Sequence, residues 1–185
     1  MELIDRNRIL SNCKVRKLSK DESVSTFDCG DSDLNDFLLN EALPYRKSKL
    51  AVTYILEDKA TEEVFAFFSL ANDRISIVNF ENNTQFNRFR KQRFANPKRM
   101  KSYPAVKICR LGVANNFQGA GIGTIILNFI KGYFTDDNKT GCRFITVDAY
   151  ASAVAFYLRN GFAPLTVEDE SADTRLLYFD LDELE

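Results

Sequence analysis

Three features of the 185-residue sequence predict a mixed α/β fold. Short β-branched and aromatic runs alternate with apolar runs at helical spacing, two of the strand-like runs flank a polar break, and a glycine-rich turn joins a later strand to a helix. The length suits one domain spanning 1-185. A chain this size buries roughly 70% of the surface its unfolded form exposes, enough to fold without a disulfide or metal staple.

The elements follow in chain order. Val15 to Leu18 predicts a short strand. Asp31-Ser32 offers a helix cap, with Leu34, Phe37, Leu38 and Ala42 on one face behind it, and Pro44 is expected to end or kink that helix. Ala51 to Glu57 and Val64 to Leu70 flank the polar DKATEE and read as a hairpin, which Arg74 to Val78 extends. Residues 82–104, polar and punctuated by Pro97 and Pro104, read as a short helix or an ordered loop. Ala105 to Val113 predicts a strand, and Gly121 opens a helix with Ile122, Ile125, Ile126, Phe129 and Ile130 on one face. Arg143 to Ala149 is the next strand, Ala151 to Asn160 a helix stopped by Gly161, and Arg175 to Leu181 the closing strand. A hairpin half followed by strand–helix–strand–helix–strand implies a mixed sheet with helices on its faces.

Composition removes several kinds of chemistry. The sequence has no histidine, so there is no Ser-His or Cys-His couple, no imidazole base and no His-containing zinc site. Cys13, Cys29, Cys109 and Cys142 lie far apart without a C-x-x-C pair, which argues for reduced thiols, no metal and a cytoplasmic location. The amino-terminal MELIDRNRIL lacks a signal-peptide core, and no apolar run is long enough for a membrane span.

A formal charge of −1 hides an uneven distribution. From Asn82 to Thr135 there are ten basic residues and no acidic one: Arg88, Arg90, Lys91, Arg93, Lys98, Arg99, Lys101, Lys107, Arg110 and Lys131. Acidic side chains outnumber basic ones on both flanks, 15 to 11 before and 11 to 4 after. Such a centre reads either as a site for an anion or as a solvated face.

Chemistry concentrates in Val113 to Thr124, where a strand ends, glycines follow and a helix begins. Glycine lets another backbone or a ligand approach closely, and a helix N-terminus presents unpaired N–H groups, so the segment reads as a phosphate cradle or as a tight turn that binds nothing. It lacks the G-x-G-x-x-G spacing of a dinucleotide site and the lysine of a P-loop.

Gln118-Gly119-Ala120-Gly121-Ile122-Gly123 resembles the Q/R-x-x-G-x-G/A pyrophosphate motif of the GNAT N-acetyltransferases. Arg110-Leu111-Gly112-Val113 resembles the strand before it, and Ala155-Phe156-Tyr157-Leu158-Arg159-Asn160-Gly161-Phe162 the family's A-x-FY-x-x-x-GF segment. The three pieces cover residues 105–165. This resemblance implies a central mixed sheet, mostly antiparallel, with a splayed parallel strand pair and helices on both faces. It implies acetyl-CoA as co-substrate, inserted where strands ending near Val113 and Ala149 part. Leu111, Gly112 and Val113 would line the pantetheine arm, with Gln118, Gly119, Ala120, Gly121, Ile122, Gly123 and Thr124 around the pyrophosphate. A primary amine would attack the thioester directly in a ternary complex, with Tyr157 as general acid to the leaving thiolate. Tyr157 has a packing role as its rival reading, and Phe156 and Phe162 are expected in the core.

Two positions depart from the family pattern. Where some members carry a basic glutamate on the strand, this chain has Lys107, Cys109 and Arg110, so a water relay, Glu57 or Asp148 would have to serve. Ser152 stands near the place of a CoA-contacting asparagine. An α-amine with a pKa of about 8 needs less help than a lysine near 10.4, which favours a weakly protonated acceptor.

Phe27-Asp28-Cys29-Gly30-Asp31-Ser32-Asp33-Leu34-Asn35-Asp36-Phe37-Leu38 is similar to the opening of the toxin-like GNAT branch that acetylates aminoacyl-tRNA. That likeness implies a tRNA acceptor, with the 88–101 cations on phosphates, and a small ribbon-helix-helix antitoxin as partner. The whole chain is mildly acidic, unlike a dedicated RNA binder, so a small-molecule or peptide amine is the acceptor first expected, with aminoacyl-tRNA and a non-catalytic acyl-CoA-binding module as the alternatives.

Overall fold

Strands form where β-branched and aromatic residues alternate. The computed structural model describes residues 12–95, 100–136, 138, 140–167 and 172–184. The amino-terminal MELIDRNRIL, and Pro97, Lys98 and Arg99 of the basic stretch, lie outside the described residues. Strands run over β1 (Cys13–Lys17), β2 (Val52–Asp58), β3 (Val64–Ser76), β4 (Ser102–Val113), β5 (Phe144–Tyr150), β6 (Ala163–Pro164) and β7 (Thr174–Asp180). They hydrogen-bond in the order β1-β2-β3-β4-β5-β7-β6. The pairs β1–β2, β2–β3, β5–β7 and β6–β7 are antiparallel. β4 and β5 are parallel from Ala105↔Phe144 to Lys107↔Thr146, while β4 itself continues to Val113 and β5 to Tyr150. This is the mixed α/β class expected, a mostly antiparallel sheet with one parallel pair. The stretch read as an extension of the hairpin at Arg74 is the far end of β3, and the two-residue β6 is too short for any periodicity to announce.

The first helix starts where the cap signal sits. Asp31, in extended conformation, accepts from the N–H groups of Asp33 (3.0 Å) and Leu34 (3.1 Å) and opens α1 (Ser32–Asp36). Pro44 neither ends the helix nor passes unnoticed. A widened π turn over Phe37–Glu41, in which Ala42 N–H reaches back to Phe37 C=O, leads into α2 (Ala42–Lys47) with Pro44 inside it. In a regular helix the proline ring would press on the carbonyl four residues earlier, and a π turn just upstream relieves that crowding. Within the stretch 82–104, α3 (Asn83–Arg93) is capped by the Asn82 side chain, and residues 102–104 already belong to β4. Then come α4 (Ile122–Thr135) and α5 (Ala151–Arg159), the latter followed by Gly161 at φ +82°.

The chain folds as two compact units, Met1–Ala71 with Ile108–Ile130 and Asn72–Lys107 with Lys131–Glu185. Leu18, Phe37, Leu38, Ala42, Ile55 and Phe67 build a core of the first, with Phe27 edge-on to Phe67 at 5.3 Å. Ile75, Phe86, Phe89, Tyr103, Phe144 and Tyr178 belong to an aromatic core of the second. The phenylalanines are therefore largely packing material.

The first unit also encloses a charge. The Glu57 side chain is 1% exposed, and burial alone would push its carboxyl up. Hydrogen bonds from Arg16 (2.7 and 2.9 Å) and Lys14 (3.1 Å) outweigh that and hold it below the usual carboxylate range. Arg16 also forks onto Glu22 at 2.8 and 2.6 Å. A buried carboxylate is tolerable only with partners of this kind.

Glu57 sits below its unfolded value of about 4.3, so its contribution to stability is complete above that pH and is lost as the pH falls through the lower folded value. Glu57→Gln should therefore be less stable than the native chain at neutral pH, with the gap narrowing below about pH 4.3. Urea midpoints across pH test this, and a gap that stays constant into acid contradicts it.

Candidate active site

The glycine-rich turn after β4 is built from bare backbone. β4 ends at Val113, a 3₁₀ turn covers Asn115–Phe117, and the chain then turns through Gln118 to Gly121 into α4. Gly119 and Gly121 have φ of +80° and +78°, the left-handed region that favours glycine. A Cβ built on Gly119 would meet nothing within 4 Å, so backbone conformation, and not packing, calls for glycine there. The helical ladder begins with Ile125 N–H to Gly121 C=O at 3.2 Å, leaving the amides of Ile122, Gly123 and Thr124 ahead of it. Ile122, Ile126 and Ile130 are buried and seat α4, whose positive dipole end coincides with these amides.

Gly112 answers to a different constraint. A Cβ there would lie 2.7 Å from Cε1 of Phe67 and 3.5 Å from Sγ of Cys29. Glycine at this point of β4 is required by the ring beneath it.

The Gln118 side chain is turned to the protein's own backbone. Its Nε2 donates to the carbonyls of Cys29 (2.8 Å) and Val113 (3.0 Å), with Asn115 Oδ1 at 3.3 Å. Asn115 in turn donates from Nδ2 to Asp28 Oδ2 (2.9 Å) and from its backbone N–H to the Asp28 carbonyl (2.9 Å). Asp28 Oδ1 also accepts from Gly30 N–H (2.9 Å) and Asn35 Nδ2 (2.8 Å). Gly30 foremost, then Asn35 and Asn115, hold the Asp28 carboxyl below its usual range. Cys29 N–H donates to Asn35 Oδ1 at 2.9 Å, and burial pushes its thiol up. The amino-terminal motif thus packs against the turn. Sequence reasoning missed Asp28, Asn35 and Asn115 as a group. The Asp-x-Gly order around Asp28 is a recognisable side-chain turn signal, but nothing marks Asn115 as its partner.

Leu111, Gly112, Val113 and Gln118 to Thr124 share the first unit, whereas Ser152 and Tyr157 belong to α5 in the second. Ser152 is exposed in the first turn of α5. Tyr157 is buried, with Phe156 at 5.1 Å and Phe162 at 5.3 Å, and its carbonyl accepts from Asn160 and Phe162. Burial raises its hydroxyl pKa well above the usual 10, so the phenol is protonated at neutral pH. Phe162 is core as expected, while Phe156 is only half-buried.

The candidate bases are already engaged. Glu57 is enclosed by Arg16 and Lys14, and Asp148 pairs with Lys107. Several central cations are structural as well. Arg90 donates to Met100 C=O and lies over Phe86. Arg93 pairs with Asp180 (3.4 Å) and lies over Phe89. Arg110 lies over Phe37 near Asp33, and Lys131 donates to Asn160 C=O at 2.6 Å. Arg88, Lys91 and Lys101 are exposed. Among the described residues no group of His, Cys, Asp and Glu could hold a metal ion, and no helix is long and apolar enough to cross a membrane.

A family model described as Acetyltransferase (GNAT) domain matches residues 56–181. Solved structures share the fold along nearly the whole chain. A tyrosine-to-phenylalanine mutant of KacT matches with a TM-score of 0.74 at 20% identity, covering 94% of this chain and 99% of that one. AtaT complexed with acetyl-methionyl-tRNAfMet matches at 0.74 and 21%, covering 94% and 97%. A tyrosine-to-phenylalanine mutant of the AtaT toxin, bound to the C-terminus of the antitoxin AtaR and acetyl-CoA, matches at 0.71 and 23%, covering 94% and 96%.

Two glycine substitutions separate packing from backbone strain. Gly112→Ala should cost about 1–3 kcal/mol, because the buried Phe67 ring has little room to withdraw. Gly119→Ala should cost about 1–2 kcal/mol from the left-handed φ alone, and Gly119→Asn less, since asparagine tolerates that region. Urea midpoints decide it: an unaffected Gly112→Ala, or Gly119→Asn falling below Gly119→Ala, contradicts these assignments.

Proposed function

Because the chain belongs to the GNAT acetyltransferase family, we propose that it moves the acetyl group of acetyl-CoA to a primary amine by direct attack in a ternary complex. The observation that carries this reading is the bare turn at the start of α4, with left-handed Gly119 and Gly121 and no acidic residue from Asn82 to Thr135. Those features fit a pyrophosphate. The family match runs through both compact units, and we read 1-185 as one acetyltransferase domain.

Acetyl-CoA brings an activated thioester, and the chain's residues hold and orient it. Leu111 and Val113 offer backbone groups to the pantetheine arm in the manner of an added strand, with Gly112 between them. Amides of Gly119, Ala120, Gly121, Ile122, Gly123 and Thr124 take the pyrophosphate, and Gln118 contributes by fixing the turn. The exposed Ser152 hydroxyl adds a further polar contact. The amine nitrogen bonds to the acetyl carbon, the carbon–sulfur bond breaks, Tyr157 gives its proton to the sulfur, the amine proton leaves to water, and the Tyr157 phenolate regains a proton from water. A thiol has a reference pKa of about 8.5, so donation from a phenol raised above 10 runs uphill. Tyr157 therefore helps moderately, and most of the acceleration comes from positioning two substrates.

With the candidate bases engaged, the acceptor that fits best is an amine that gives up its proton more readily than a lysine. The α-amine of an aminoacyl-tRNA meets that requirement, with a pKa of about 8 or below. The whole-chain likeness to AtaT, the amino-terminal motif and the exposed Arg88, Lys91 and Lys101 support it. The same likeness supports an antitoxin as partner. That it is of the ribbon-helix-helix kind follows from the resemblance of the amino-terminal motif, and the widely spaced cysteines fit a cytoplasmic setting.

Calorimetry should register acetyl-CoA binding, and free thiol should appear when charged tRNA is added. Mass spectrometry should then find N-acetylated aminoacyl ends. Tyr157→Phe should lower kcat about ten- to a hundredfold with little change in acetyl-CoA affinity. The wild-type rate should show no alkaline limb from Tyr157 below about pH 10. Binding without thiol release for any amine would make the chain an acyl-CoA-binding module, and thiol release confined to small amines would discard the tRNA acceptor.

A further inference from the structure

We infer that Asp28 is a positioning residue that sets affinity for the phosphate-bearing part of acetyl-CoA, acting through Asn115 and Gln118 on the glycine turn. The inference rests on the acetyl-CoA reading above. Its basis is a continuous relay within one compact unit. Asp28 Oδ2 holds Asn115 Nδ2 at 2.9 Å, Asn115 Oδ1 lies 3.3 Å from Gln118 Nε2, and that amide holds the Cys29 and Val113 carbonyls at 2.8 and 3.0 Å. The other carboxylate oxygen ties Gly30 N–H and Asn35 Nδ2, so one side chain fixes both its own loop and the approach to the turn. Close contact leaves little slack: a Cβ on Gly30 would lie 3.0 Å from Asn115 Oδ1.

Asp28 is exposed and fills no core. Its value lies in keeping the turn in one conformation before a ligand arrives, which spares binding the cost of ordering it. Charge and bracing make opposite predictions here. An exposed carboxylate near an anion cradle repels phosphate, so on charge alone its removal tightens CoA binding. On the bracing account its removal loosens the turn and weakens binding.

The experiment compares acetyl-CoA with S-acetylpantetheine, which shares the thioester and arm but lacks the pyrophosphate and nucleotide, on the native chain, Asp28→Ala, Asp28→Asn and Asn115→Ala. Asp28→Ala and Asn115→Ala should each weaken acetyl-CoA about tenfold, the equivalent of one or two lost hydrogen bonds, and leave S-acetylpantetheine unchanged. Asp28→Asn should fall between, because its amide oxygen still accepts from Gly30 while its NH₂ cannot accept from Asn115. Tighter acetyl-CoA binding by Asp28→Ala, or equal losses for both ligands, overturns the inference alone. A native chain that binds no acetyl-CoA overturns the reading on which it rests.

Discussion

A main-chain turn proposed to receive a pyrophosphate must stay uncovered and yet hold still, and one side-chain amide, that of Gln118, supplies much of the hold. Glycines at 119 and 121 leave the backbone bare and supply left-handed dihedrals, but they also maximise its freedom in the unfolded chain. Gln118, at the head of the turn, restores order by bonding the carbonyls of Val113 behind it and Cys29 across from it. The burial of Ile122, Ile126 and Ile130 fixes the helix on the far side. Bareness and rigidity are thus supplied by different residues.

That division explains what the sequence disclosed and what it concealed. Asp31 was readable as a cap because capping is a local event within three residues, and the glycine turn was readable because dihedral demand selects a residue type. The succession of strands and helices in the carboxyl-terminal half, the two-residue β6 apart, followed from the alternation of strand and helix signals. Gly112, by contrast, looked like part of a cofactor motif, and its immediate reason is the Phe67 ring 45 positions earlier. Long-range packing of that kind leaves no local trace. Asn115 and Asp28 lie further apart still, and their bond is visible only once β4 delivers one to the other.

Charge was the least transparent feature. A run of cations suggested an anion site as a whole, yet Arg90, Arg93, Arg110 and Lys131 stack on aromatic rings or cap carbonyls. Long basic side chains cover apolar surface with their stems and cannot be told from ligand-binding ones by sequence. The absence of histidine was the more reliable signal. It leaves backbone amides and Tyr157 as groups for the proposed transfer, in which a phenol made less acidic by burial would assist a thiolate only modestly and positioning would supply most of the rate.

The central claim is that amides of the glycine turn receive the pyrophosphate of acetyl-CoA. Amide-resolved NMR during an acetyl-CoA titration tests it most directly, because it reports on individual backbone N–H groups. Saturable shifts should concentrate at Gly119 through Thr124, with the Gln118 side-chain NH₂ resonances retained because its bonds to Cys29 and Val113 persist. Shifts that saturate elsewhere while those amides stay in place would contradict it.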